Sequence, residues 1–96
     1  MRQTSKELKK IKPAIVRVLK LYGIKQAGIF GSYARGEQKK DSDVDVVIKY
    51  NGGLLKLVKI EMELEHALKK KVDVLTYRGI NHLLRKRILQ DEVKVL

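Results

Sequence analysis

Ninety-six residues and 11.0 kDa allow one domain, residues 1–96, built on one core. With no cysteine there is neither a disulfide framework nor a thiolate metal site. No apolar run approaches the ~20 residues of a membrane span, so a cytoplasmic protein with no membrane partner is expected. The net charge of +11 is uneven: seven basic residues face one acidic residue in 1–22, ten face eight in 23–77, and five face two in 78–96. Basic ends of this kind suit nucleic acid, a nucleotide or an acidic protein as partner; a solvated lysine coat is the plain alternative.

Thr4-Ser5-Lys6-Glu7 reads as a capping box. Leu8, Ile11, Ile15, Val18 and Tyr22 then follow at helical spacing. Pro13 interrupts this stripe, which predicts a short first helix and a second one with Pro13 in its first turn. Gly23 supplies the C-cap. Residues 25–30 are a strand candidate, and 32–36 can form one or two helical turns before a polar loop over 38–42. Val44 to Tyr50 alternates as a strand, Asn51-Gly52-Gly53 is a turn, and Leu54 to Lys70 carries Leu57, Ile60, Leu64, Ala67 and Leu68 on one helical face. Val72 to Tyr77 is a further strand. Ile80 to Leu89 is a helix expected to bury Leu83, Leu84 and Ile88, and 92–96 is extended.

The unit from Val44 to Tyr77 is strand–helix–strand, which joins parallel strands. The short connection from Phe30 to Val44 suits an antiparallel neighbour. The fold class is therefore α/β (α+β), a small mixed sheet with flanking helices. This arrangement brings Gly31-Ser32, Asp43-Val44-Asp45 and Asp73 to one sheet edge. Period two puts Asp43 and Asp45 on one face and the valines on the other, and Asp73 between Val72 and Val74 follows the same logic. Aspartate is depleted in strands, and three together repel one another. Carboxylate oxygens suit Mg²⁺, which keeps waters and accepts phosphate oxygens; two such ions can clamp an in-line phosphoryl displacement. Gly31 permits close backbone approach to a phosphate, Ser32 offers a hydroxyl and an N–H, and Arg35 lies one turn on, able to contact the same phosphates or to pair with Glu37.

Gly31-Ser32, ten residues, then Asp43-Val44-Asp45 resembles the signature of the polymerase-beta-like nucleotidyltransferases. The longer stretches Gly31-Ser32-Tyr33-Ala34-Arg35-Gly36-Glu37, Ser42 to Ile48 and Lys71-Val72-Asp73-Val74-Leu75 resemble the minimal nucleotidyltransferase group. That resemblance implies a minimal nucleotidyltransferase fold and ATP as substrate. It implies Asp43, Asp45 and Asp73 as catalytic and metal-binding residues holding Mg²⁺, as two ions, and Gly31 and Ser32 as nucleotide-binding residues, to which Arg35 is added as nucleotide-binding by its place one turn on. It also implies a HEPN-domain RNase toxin as partner, to which some members transfer AMP at a tyrosine; a homo-oligomer is also compatible. Two other classes remain open: an antitoxin that holds nucleotide and neutralises by contact alone, and a basic nucleic-acid-binding protein. Ser42 is expected to brace its loop through backbone bonds, His66 and His82 to lie on the surface, and Tyr33, Tyr50 and Tyr77 to be half-buried, Tyr33 being the one best placed to stack on a base instead.

Overall fold

The computed structural model describes residues 6–96. Among them the elements run α1 (Lys6–Leu21), β1 (Ala27–Phe30), α2 (Gly31–Arg35), β2 (Val44–Ile48), α3 (Leu54–Leu68), β3 (Val72–Thr76), α4 (His82–Asp91) and β4 (Val93–Lys94). After the first helix the order and type are those expected from the sequence, with ends shifted by at most two residues. Thr4 and Ser5 of the expected capping box lie outside the described residues.

One expectation is corrected at the first helix. Pro13 does not divide it; α1 is a single helix of 16 residues with Pro13 inside. The proline removes one N–H and crowds the carbonyl of Lys9, but both residues are on the exposed side, where water can take up that carbonyl. Leu8 on one side of Pro13, and Ile15, Val18 and Leu19 on the other, are all buried. Their burial, roughly 1.5–3 kcal/mol each, exceeds the ~3 kcal/mol penalty of an interior proline. The helix then stops in a Schellman turn: Ile24 N–H donates to Leu19 O and Gly23 N–H to Lys20 O, both at 3.0 Å, with Gly23 at φ 75°.

The sheet order is β3-β2-β1-β4. β2 and β3 are parallel, with Asp45 opposite Asp73; β1 and β2 are antiparallel, with Phe30 opposite Asp45 and Gly28 opposite Val47; β4 adds antiparallel to β1. One face of the sheet presents Ala27, Ile29, Val44, Val46, Ile48 and Val72, all buried with Leu8, Ile15, Leu19, Ile60 and Leu64 of α1 and α3. The edge strand β3 is protected from α3: Glu65 accepts from Val72 N–H at 3.1 Å and Glu61 from Val74 N–H at 3.3 Å.

The second correction concerns α4, which was expected to bury its leucines. It contains no buried residue, and Leu83 and Leu84 are 79% and 53% exposed. The helix begins at His82 behind an Asn81 cap that accepts from Leu83 N–H. It packs mainly against α2 and β1.

Candidate active site

The opposite sheet face carries the polar residues. By the strand alternation, Asp45 and Val47 of β2 and Lys49 just beyond its end follow one another on this face, with Asp73 and Leu75 of β3 and Tyr77 just beyond its end beside them. Asp45 and Asp73 are direct neighbours on parallel strands, about 4.8 Å apart in the backbone. Asp43 stands two residues before Asp45, about 7 Å along the chain, where Val44 N–H already donates to Lys71 O at 2.9 Å. The three aspartates sit at one sheet end, where the strand–helix–strand reasoning put them.

Gly31 joins this cluster from β1. It follows Phe30, the partner of Asp45, and takes φ 75°. A Cβ at this position would overlap Oδ2 of Asp45. Glycine is therefore needed twice here, for the backbone conformation and for the close approach of the carboxylate. The sequence reading had assigned that space to a phosphate alone. Ser32 opens the first turn of α2, whose N-terminus has no side-chain cap.

Burial, first, and then the charges of Asp73 and Asp43 raise the Asp45 carboxyl to a pKa of about 6, with Arg35 pulling the other way. Asp45 is half-buried and Asp73 exposed. Excess negative charge of this kind suits a divalent cation. Among the described residues, no three acidic or imidazole side chains converge into a closed cation cage. That donor set fits an ion such as Mg²⁺, which takes one or two carboxylates and completes its shell with water and substrate phosphates. It does not fit a structural site held by protein alone.

Arg35 is engaged elsewhere on the protein. Its Nη1 meets Asp91 Oδ2 at 3.0 Å and its Nε meets Glu37 Oε1 at 3.4 Å. The bond to Asp91 is the main reason its pKa is raised. Pairing with Glu37 was among the sequence expectations; Asp91, 56 residues away on α4, carries no local signal. Ser42 braces its loop as expected, accepting from Lys39 N–H at 2.7 Å. Lys70 tethers the same loop through the Lys40 carbonyl at 3.0 Å. His66 and His82 are exposed. Tyr33 is 1% exposed and part of the core, so it cannot stack on a base.

This small mixed sheet with flanking helices has the fold of a minimal nucleotidyltransferase, a class of enzymes that typically uses a divalent metal. The family model for the nucleotidyltransferase domain matches residues 3–96, and this chain belongs to that family. It is 50% identical over 91 residues to MJ0435 of Methanocaldococcus jannaschii, covering 93% of this chain and 98% of that protein. It is 37% identical over 76 residues to the protein adenylyltransferase MntA of Thermococcus cleftensis, covering 77% of each. In structure it resembles the MNT antitoxin complex with tri-AMPylated Shewanella oneidensis HEPN toxin, with TM-score 0.70 and 18% identity over 92% of this chain and 71% of that one. No helix among the described residues is long and apolar enough to cross a membrane.

Proposed function

We propose that this protein is a Mg²⁺-dependent protein adenylyltransferase of the cytoplasm, moving AMP from ATP to a tyrosine of a HEPN-type toxin and so acting as its antitoxin. The observation that carries this reading is the register of Asp45 with Asp73, one step from Asp43, with Gly31 packed on Asp45. Among relatives, one at 37% identity bears the name protein adenylyltransferase MntA.

In this reading Asp43 and Asp45 would hold one Mg²⁺, and Asp73 together with Asp45 would hold a second. Bound there, two Mg²⁺ ions would neutralise charge on the α-phosphate and ease loss of the hydroxyl proton. The acceptor oxygen forms a bond to the α-phosphorus while the bond from that phosphorus to the bridging oxygen breaks, and pyrophosphate leaves. Gly31 and Ser32 receive the departing pyrophosphate through backbone N–H groups and the serine hydroxyl. Arg35, whose charge already acts on Asp45, would add its guanidinium edge not held by Asp91 and Glu37 to the same phosphates. Asp73 is exposed, so an acceptor can reach it without rearrangement. By the same openness, a docked acceptor supplies the wall that excludes water.

Labelled ATP incubated with this protein and its HEPN-type partner tests the reading. The partner should gain the mass of one or more AMP units, and Asp43→Asn, Asp45→Asn or Asp73→Asn should each remove that gain. A partner that stays unmodified yet is neutralised by all three variants would replace transfer with binding alone.

A further inference from the structure

The open sheet face has a second feature at the end away from the aspartates. A cleft of about 560 Å³ lies there, within the range of small-molecule sites. Its lining includes Lys49 at the end of β2, Arg78 after β3, Arg85 of α4 and Lys94 of β4. Four cations thus converge from four separate elements. The one acid among the lining residues, Glu92, accepts from the Tyr77 hydroxyl and lies over Gly28, where a Cβ would overlap it. Tyr77 therefore reaches from β3 across β2 to β1. Burial, first, and the bond to Glu92 raise its pKa, so it stays a neutral donor.

Two of the four cations are structural. Arg85 Nη1 donates to Tyr77 O at 3.0 Å, and Lys94 Nζ stands 5.6 Å over the Tyr77 ring. Lys49 and Arg78 are exposed, and among the described residues their side chains carry no hydrogen bond or ion pair; the Lys49 backbone N–H donates to Gln26 O at 2.9 Å. The cleft thus presents unpaired positive charge beside a fixed aromatic wall. It is several times larger than a phosphate ion needs, and Gln26 and Asn51 also line it, residues whose amides can hydrogen-bond a base edge. No carboxylate is left over to hold a metal. Lys49 is four residues beyond Asp45 on the same face, about 13 Å along the strand, too far for both to grip one phosphate.

We propose that this cleft is a second nucleotide site, taking a nucleoside phosphate without a divalent metal. The aspartate end handles phosphate through metal ions; this end handles it through Lys49 and Arg78 directly. The ligand is either a free nucleotide or a nucleotidyl group already joined to an acceptor. The second source rests on the proposed transfer reaction; the site itself does not.

AMP titrated by calorimetry into the full-length protein in EDTA tests this. Lys49→Glu with Arg78→Glu should weaken AMP binding about tenfold or more, whereas Asp43→Asn with Asp45→Asn should leave it unchanged. AMP should also bind about tenfold tighter than inorganic phosphate, since the nucleoside adds contact area. Adenylyl-tyrosine binding as tightly as AMP supports the site with an acceptor-borne nucleotide as ligand; weaker binding supports it with the free one. AMP affinity indifferent to Lys49→Glu with Arg78→Glu, or equal to that of phosphate, overturns the proposal. Failure of AMP transfer in the presence of Mg-ATP would overturn the proposed function instead and leave this result standing.

Discussion

The two faces of the sheet divide the work of the molecule. The face under α1 and α3 is apolar and sealed, with Ile29, Val44, Val46, Ile48, Ile60 and Leu64 at 0% exposure. The other face is only partly covered by α4 and carries like charges at one end and basic groups at the other. Alternation along β2 serves both, because each residue pointing inward sets the next one outward. A domain this small has one face with which to stabilise itself, so the charged one must tolerate repulsion that the sealed one offsets. Stability and chemistry should therefore separate by face under mutation.

The largest effect expected is on chemistry without stability. Asp43→Asn, Asp45→Asn and Asp73→Asn should each reduce AMP transfer about 10³-fold or more while the melting temperature does not fall; a variant that loses activity only by unfolding would break the division between faces. On the sealed face the reverse is expected. Leu64→Ala should cost about 3 kcal/mol of stability in chemical denaturation, without changing metal or nucleotide affinity in the folded fraction.

Gly31 lies where the two faces meet, and it sharpens the comparison. Gly31 and Gly23 share φ 75°, but nothing lies within 4 Å of a Cβ at Gly23 whereas Asp45 occupies that space at Gly31. Gly23→Ala should cost about 1 kcal/mol, the left-handed penalty alone. Gly31→Val should cost about 2–3 kcal/mol and should lose metal and nucleotide binding together, since displacing Asp45 disturbs both. Nucleotide loss with metal affinity intact would show that the carboxylate does not depend on this turn.

The charge on the open face should appear as a pH dependence. With a pKa of about 6 in the folded protein against 3.8 as the ordinary value, the folded state binds the Asp45 proton more tightly than the unfolded chain. Its stabilising contribution is fully present below about 3.8 and is lost as pH rises through about 6. Without metal, Asp45→Asn should thus stabilise the protein at pH 7 by about 1–2 kcal/mol after solvent screening, and have little effect near pH 4. Mg²⁺ should raise the melting temperature of the wild type by mass action and that of Asp45→Asn much less. Thermal scans at both pH values, with and without metal, check the sign. The smallest effect belongs to the leucine that sequence periodicity misplaced: at 79% exposure, Leu83→Ala should change stability by less than about 0.5 kcal/mol, against the ~3 kcal/mol expected for Leu64→Ala.

Most elements and the edge at which Gly31, Asp43, Asp45 and Asp73 meet were legible because their causes are local. A strand with alternating valines, a helix with an apolar stripe and a crossover of known hand leave few ways to arrange three segments. The misreadings share a different cause. Pro13 was weighed against its own turn, while its helix is held by residues on either side of it packing on distant strands. Leu83 and Leu84 have a helical period but too little sheet beneath them.

By itself the sequence determined the order of the elements, the alternation of Asp43 and Asp45 with valines, and the family resemblance those residues carry. Tertiary structure alone decided that Arg35 pairs with Asp91, that Glu61 and Glu65 guard the edge of β3, that Asp45 rather than only a phosphate occupies the space Gly31 leaves, and that Tyr77 crosses the sheet to Glu92. Each of these joins groups from different elements. Side-chain pairing at such distances depends on how the elements pack, and packing is settled by burial summed over the whole chain rather than by any pattern within one segment.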